Sequence, residues 1–296
     1  CRQLGHKWAL AETLNVSGLV TGGQGDYKRA RALFEEGLAL WRELGDKWGL
    51  AKSLGHLGVV ARHQGDYERA RALHEESLAL RRELGDRFDL AASIVSLGTV
   101  ALNLGDYDNA RTLFEESLAL YRELGNKPGI ATALGNLGIV AHRQGDDTRA
   151  AAQLQESLAL WREIGTKQTI AVALVVLGMV TYAQGNEVRA AALYQESLAL
   201  YWELKDRMGI AQCLPRLARL IGARGRPHLA ARLFGAAEAL RETIGTPWPP
   251  SDRVEYDRSV AALRALLEED AFAAAWTQGR AMPLEQAVNE AMGTDR

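Results

Sequence analysis

Along residues 46–85, DKWGLAKSLGHLGVVARHQGDYERARALHEESLALRRELG, apolar and small side chains fall on two stripes. Leu50, Leu54, Leu57 and Ala61 recur at i, i+4, i+7 and i+11, with Ala51 and Gly58 beside them. Ala70, Leu73, Ser77, Leu80 and Leu84 repeat that geometry further along. A spacing near 3.6 residues predicts two amphipathic helices, each with one face to bury. Between them, Gln64-Gly65-Asp66 predicts a turn. Glycine takes the left-handed conformation that closes the first helix, and the aspartate side chain accepts from an amide at the start of the second. Helices of about 17–19 residues span about 25–28 Å.

The pattern recurs every forty residues without slipping. DRFDLAASIVSLGTVALNLGDYDNARTLFEESLALYRELG occupies 86–125, and the same frame gives 6–45, 126–165, 166–205 and 206–245. The domain organisation read from it is six helix–turn–helix repeats over 6–245. Residues 1–5, CRQLG, align with WRELG at 41–45 and read as the tail of a preceding repeat, so the chain is expected to be a piece of a longer protein. Gly25, Gly65, Gly105, Gly145, Gly185 and Gly225 hold the first turn, while Gly45, Gly85, Gly125, Gly165 and Gly245 close the second helix; Lys205 alone departs. A third column sits inside the first helix: Gly18, Gly58, Gly98, Gly138 and Gly178, with Ala218 in the sixth repeat. A mid-helix glycine costs about 1 kcal/mol against alanine, so this column implies that a neighbour approaches the backbone closely. The small residues Ala30, Ala70, Ala110, Ala150, Ala190 and Ala230 mark a matching column on the second helix. Pairs so built stack into an all-α fold, a right-handed α–α superhelix with an inner and an outer wall.

The spacing Leu57-Gly58, Ala61, Gly65-Asp66-Tyr67, Ala70 and the bulky His74 resembles the tetratricopeptide repeat signature. The bulky position is Phe34, Phe114, Leu154, Tyr194 and Phe234 elsewhere. The family's usual unit is about 34 residues; here the extra residues lengthen the helix ends around ELGDKWGLA. The long form resembles the helical-repeat sensors of large bacterial signalling (STAND) ATPases, of regulators ending in a LuxR-type helix-turn-helix, and of some nucleotide cyclases. That resemblance implies a protein-interaction or sensing role.

Beyond Gly245 the forty-residue period is expected to end in Thr246-Pro247-Trp248-Pro249-Pro250, which no helix crosses. Residues 246–296 then read as C-terminal capping helices over about 252–268, 270–278 and Pro283–Met292. Asp252 and Glu255 form a capping box at the first, and Leu284, Val288 and Met292 give the apolar stripe of the last. The run from ARLFGAAEALRETIG to FAAAWTQGRAMPLEQAV resembles the segment that ends the array in those bacterial regulators. Pro215, inside a helical pattern, predicts a kink in the sixth repeat.

Composition narrows the function. The chain of 296 residues is 47% hydrophobic and carries a net charge of −2, so no overall field favours nucleic acid or an anionic membrane. No run approaches the roughly 18 apolar residues of a membrane span, and no signal peptide precedes the first patterned segment. Two cysteines, Cys1 and Cys213, give no disulfide framework, and a cytoplasmic, reducing setting is expected. No phosphate loop or HExxH pair occurs, and the six histidines define no zinc site, so neither an enzyme nor a cofactor is expected. His56 and His63, seven apart, read as two solvated residues of the inner wall. The pairs Arg31–Glu35 and Arg71–Glu75 read as i, i+4 partners on a solvated face. Trp41, Tyr121, Trp161 and Tyr201, with Trp8, Trp48 and Phe88, read as packing at the junctions between repeats.

If the stacking is similar to that of other tetratricopeptide arrays, the first helix of each repeat lines the concave surface. The candidate groove residues are Asn15 and Leu19 with Gly22; Val59 and Arg62 with Gly55; Val95, Thr99 and Leu102; Ile139 and His142 with Gly135; Val175, Met179 and Tyr182; and Arg219 with Pro215 and Gly222. The set varies between repeats and is mostly apolar, with Arg62 and Arg219 as isolated cations. It fits a groove for an apolar helix or an extended peptide; the other reading is that Val95, Leu102, Val175 and Met179 fill gaps between neighbouring helices. The expected function is a non-catalytic protein-interaction and sensing module within a larger bacterial regulator, with a protein or peptide partner. A free-standing scaffold and a small-molecule receptor are the alternatives.

Overall fold

The computed structural model describes residues 2–245 and 250–293; side chains are described from residue 5 and, after the gap, from residue 253. The break at 246–249 and the Asp252 capping contact therefore lie outside the described residues. Every regular element among the described residues is an α-helix, in the all-α solenoid class that the pattern predicts. The chain divides into two compact units, Cys1–Asp146 and Asp147–Arg296, the division falling between the two helices of the fourth repeat.

The first unit holds α1 (Arg2–Gly23), α2 (Tyr27–Leu44), α3 (Lys47–His63), α4 (Tyr67–Leu84), α5 (Arg87–Asn103), α6 (Tyr107–Glu123) and α7 (Lys127–Arg143). Its turns follow the predicted chemistry. Gly25, Gly65 and Gly105 sit at φ between 79° and 85°. Asp26, Asp66 and Asp106 each accept from the backbone N–H three residues on. The other turn is capped the same way by Asp46, Asp86 and Asn126. One boundary differs from expectation: α1 begins at Arg2 and runs through Gly5, so glycine makes no stop there.

The mid-helix glycines receive a ring. A Cβ built on Gly18, Gly58 or Gly98 would lie 2.6–2.7 Å from the ring of Phe34, His74 or Phe114, the bulky position of the following helix. Helix pairing therefore places an aromatic face on bare backbone, and each such ring is at most 2% exposed. A second column does the same at the junction between repeats. Trp41 lies on Gly49 and Tyr121 on Gly129, where a Cβ would come within 2.2–2.3 Å of the ring. The other junction of the first unit, between α4 and α5, is built differently. Arg81 stands in place of the ring and Asp89 in place of the glycine, and the buried guanidinium donates to the Asp89 carboxylate. Trp48 and Phe88 are exposed at the rim, as is Trp8, which meets Trp41 edge-on at 5.8 Å.

The second unit holds α8 (Asp147–Ile164), α9 (Lys167–Ala183), α10 (Glu187–Glu203), α11 (Arg207–Ala223) and α12 (Pro227–Ile244), then α13 (Pro250–Leu266), α14 (Glu269–Ala281) and α15 (Leu284–Met292). Tyr194 lies on Gly178 and Tyr201 on Gly209, as in the first unit. Lys205, where the other repeats have glycine, takes φ 55° and is the one non-glycine residue with positive φ among those described. Pro215 is buried within α11, which continues as a helix on both sides of it. Cys213 is fully buried, donates to the Ser197 hydroxyl at 3.5 Å, and has its thiol pushed up to about 11 by desolvation, as an inert small hydrophobe should.

One ring contact of the repeat recurs past Gly245. Helix α13 stands 200 residues after α3, and Tyr256 meets Phe234 at 5.4 Å, the counterpart of His56 on Phe34 at 5.0 Å. Helix α14 breaks the scheme, because Gly235 and Gly279 let α12 and α14 cross backbone to backbone, a Cβ on either falling within 2.4 Å of a carbonyl oxygen. Helix α15 docks on α10, α11 and α12, where Gln195 donates to the Ala291 and Met292 carbonyls and Arg232 pairs with Glu290 at 2.9 Å.

Surface ion pairs are many and individually weak. Lys7–Glu43, Lys47–Glu83 and Lys167–Glu203 join the start of each first helix to the end of its partner at 2.5–2.7 Å, but each is about half exposed. Arg31 pairs with Glu35 as expected, and Glu35 also accepts from Arg69 of the next repeat. Arg71 pairs with Glu68 at 2.5 Å, three residues back, on a face that is solvated as expected.

Two predictions follow from this packing. Arg81→Tyr alone sets a ring against Asp89, and Asp89→Gly alone leaves the buried guanidinium only its 3.9 Å contact with Asp86. The double substitution recreates the Tyr121–Gly129 junction, so a double-mutant cycle in urea should show a favourable coupling of about 1–3 kcal/mol. Additive effects would contradict it. The second prediction concerns His74, a ring in the phenylalanine column. Burial, helped by the Arg62 charge, pushes its imidazole down to about 4 from an ordinary 6.5. The folded state thus holds it neutral while the unfolded chain takes up a proton near 6.5. Its contribution is complete above pH 6.5 and is lost as pH falls toward 4. His74→Phe should raise stability at pH 5 by on the order of 2 kcal/mol relative to the effect at pH 8. Thermal melts at the two pH values measure this, and equal shifts would refute it.

Candidate protein-interaction groove

The first helices carry the candidate recognition residues in three columns, and the structure separates them. In the column Asn15, Gly55, Val95, Gly135, Val175, Pro215, Asn15 and Gly55 lie where the two helices of their repeat cross, against Gly37 and Ser77. Asn15 is 0% and Val175 5% exposed, which corrects their reading as groove-facing. The cause for Asn15 is Gly37, which replaces the serine found at 77, 117, 157 and 197. A Cβ on Gly37 would meet Asn15 Oδ1 at 3.2 Å, so the missing side chain makes room for the amide to turn inward. There Oδ1 accepts from Ser53 at 2.9 Å. Ser77 and Ser197 bond across the pair instead, to the Ala51 and Ala171 carbonyls, while Ser117 donates to the Phe114 carbonyl of its own helix. Val95 is half-buried in the same column and fits the gap-filling reading.

The other two columns keep surface. Leu19 is 48% and Val59 37% exposed, and Thr99, Ile139, Met179 and Arg219 are half-buried. In the neighbouring column Arg62, Leu102, His142 and Tyr182 are all half-buried. The two columns meet between successive repeats, for the Arg219 guanidinium stacks 3.8 Å over the Tyr182 ring. Neither arginine is isolated as expected. Arg219 also pairs with Glu255 of α13, and Arg62 bonds His63 Nε2 at 3.0 Å. Burial of Arg219 lowers its pKa, Tyr182 and Tyr194 opposing that shift. Met179 accepts from Arg216 at 3.8 Å.

In the first unit the groove deepens into a cavity of about 350 Å³ lined by Gly18, Leu19, Gly22, Gly23, Tyr27, Phe34, His56, Val59, Val60 and His63. His56 is not solvated as predicted. It is half-buried against Phe34, and desolvation with the Lys52 charge takes its imidazole down to about 4. His63 is exposed but stacks flat on Tyr27 at 4.8 Å, its pKa lowered by burial and by Arg62. Both rings are neutral near pH 7. No group of three or more metal-binding side chains occurs among the described residues. In sequence, the signal for the cavity is the Gly22-Gly23 pair where other repeats carry Arg62, Leu102, His142 or Tyr182. The second unit has a cleft of about 450 Å³ between the start of α12 and α14, and a void of about 30 Å³ where Glu255 and Tyr256 meet Pro215 and Arg219.

Stacked helix pairs with one variable, partly apolar face define a helical-repeat protein of the interaction type. The tetratricopeptide repeat model matches residues 9–83 and 89–163, just over half of the chain, and the chain belongs to that family. Its fold is generally a non-catalytic interaction scaffold. No curated protein matches the sequence. Among solved structures the chain is similar to a Rap protein complexed with Competence and Sporulation Factor, at 15% identity and TM-score 0.71 over 94% of this chain and 75% of that one. It is also similar to BtubC from P. vanneervenii, at 21% identity and TM-score 0.59 over 83% and 94%. A Signal Transduction ATPase with Numerous Domains, with a tetratricopeptide repeat sensor, from Pyrococcus horikoshii gives 13% identity and TM-score 0.67 over 96% of this chain and 44% of that protein. At these identities the likeness is one of fold. No helix among the described residues is long and apolar enough to cross a membrane.

Proposed function

We propose that the chain is a non-catalytic interaction and sensing module that binds a peptide, helix or partner domain along the exposed columns of its first helices. In this reading it is the sensor part of a larger cytoplasmic bacterial signalling or transcriptional regulator, and it binds neither nucleic acid nor cofactor. The observation that carries the reading is the uneven use of the first helix. Its mid-helix glycine column and the column Leu14, Leu54, Ile94, Leu134, Leu174 and Leu214 are buried, while Leu19, Val59, Thr99 and Ile139 keep apolar or small surface. Exposed apolar side chains beside a cavity are the usual mark of a recognition surface. The Rap protein similar in fold is complexed with Competence and Sporulation Factor, and the ATPase similar in fold has a tetratricopeptide repeat sensor; both lend support to the partner-binding and regulator parts of the reading.

Selection from a displayed peptide library against the purified chain tests it. Thr99→Arg and Ile139→Asp should weaken the selected peptides roughly tenfold or more, while Glu76→Lys on the second helix should change binding less than about twofold. Thermal melts confirm that all three variants fold. Peptides indifferent to both groove substitutions would overturn the reading.

A further inference from the structure

We propose that the cavity over Gly22 is an anchor site for one leucine-sized aliphatic side chain presented by a protein partner. The inference rests on the interaction reading above and adds where the partner is gripped and by what chemistry.

One backbone site occurs in two copies. Gly22 and Gly222 hold the same position in the first and sixth repeats and rest on equivalent alanines, Ala30 and Ala230. The intervening repeats fill that position with Arg62, Leu102, His142 and Tyr182. Over Gly222 the space is closed by the chain itself. A Cβ there would lie 2.9 Å from Leu263 Cδ2, and Leu263 is buried. The residue in register with Leu263 over Gly22 is His63, which stacks flat on Tyr27 and lines the cavity without closing it. A Cβ on Gly22 would meet only Ala30, at 3.5 Å. One glycine floor is thus covered by a leucine and its twin is open.

The walls specify what fits. Leu19, Val59, Val60 and Phe34 are apolar, the two imidazoles are neutral near pH 7, and the lining contains no charged side chain, so a charged group entering here would lose its water to a largely apolar wall. About 350 Å³ lies at the low end of ligand pockets, a size for one aliphatic side chain and its peptide backbone. Leu19 and Val59 at the rim offer apolar contact to the flanking residues of the same segment.

The test is an NMR titration of the whole chain with labelled histidines, using N-acetyl-leucinamide as the probe, with N-acetyl-alaninamide, N-acetyl-aspartamide and zinc chloride as controls. The leucine probe should shift His56 and His63 at millimolar concentration. The alanine probe should bind at least about tenfold more weakly, and the aspartate probe should leave both rings unmoved. Gly22→Leu, which supplies the side chain from within as Leu102 does, should abolish the shifts. Gly22→Ala, with room for its Cβ, should reduce them and guards against a misfolded leucine variant. No shift at either ring, shifts that survive Gly22→Leu, or shifts produced by zinc alone would each overturn the anchor. The library peptides separate the two levels of the argument. Peptides weakened by Ile139→Asp but not by Gly22→Leu would remove the anchor and leave the interaction reading standing. Peptides weakened by neither would remove the interaction reading, while the titration still judges the cavity.

Discussion

An aromatic face laid on bare helix backbone is the contact on which the rest depends. Within a repeat Phe34, His74, Phe114 and Tyr194 lie on Gly18, Gly58, Gly98 and Gly178. Between repeats Trp41, Tyr121 and Tyr201 lie on Gly49, Gly129 and Gly209. Each glycine gives up about 1 kcal/mol of helix propensity, and the buried ring opposite returns more, about 1.5–3 kcal/mol for a large apolar side chain. The exchange works only if ring and glycine occur together. That is why Arg81 comes with Asp89: a guanidinium cannot lie on a glycine without leaving its charge unpaired, so the partner position changes with it.

Much of this was legible in the sequence because packing repeats. Six in-frame copies made the glycine, alanine and turn columns plain, and the caps at Asp26, Asp46, Asp66 and Asp86 are where the pattern puts them. The second glycine column was missed, because Gly49, Gly129 and Gly209 alternate with Ala9, Asp89 and Thr169 and only the rings opposite explain them. Helix α13 was read as a cap outside the period. Its register with α3 is carried by Tyr256 on Phe234, a contact that similarity of residue type does not reveal, since the counterpart of Tyr256 is a histidine.

The groove was less legible than the scaffold, for a physical reason. Variation between repeats marks freedom from one packing rule without saying whether solvent or a neighbouring side chain takes up that freedom. Asn15 and Gly37 changed together and stayed buried, whereas Leu19 and Val59 changed and stayed exposed. His56 looked like a surface histidine by its neighbours in sequence, yet Phe34 draws it against the core. The expectation of isolated cations failed because charges left on a half-buried wall find partners, Arg219 with Glu255 and Tyr182, Arg62 with His63.

The account therefore divides the first helix into columns that hold the stack and columns that are free to recognise. A saturation substitution scan read twice, once for folded abundance and once for binding of a library-selected peptide, measures that division directly. The prediction is that substitutions at Gly58, Gly98 and Gly129 reduce abundance, whereas polar substitutions at Leu19, Val59, Thr99 and Ile139 reduce binding and leave abundance unchanged. If the second group proves as intolerant for folding as the glycines, those residues belong to the core and the proposed recognition wall does not exist.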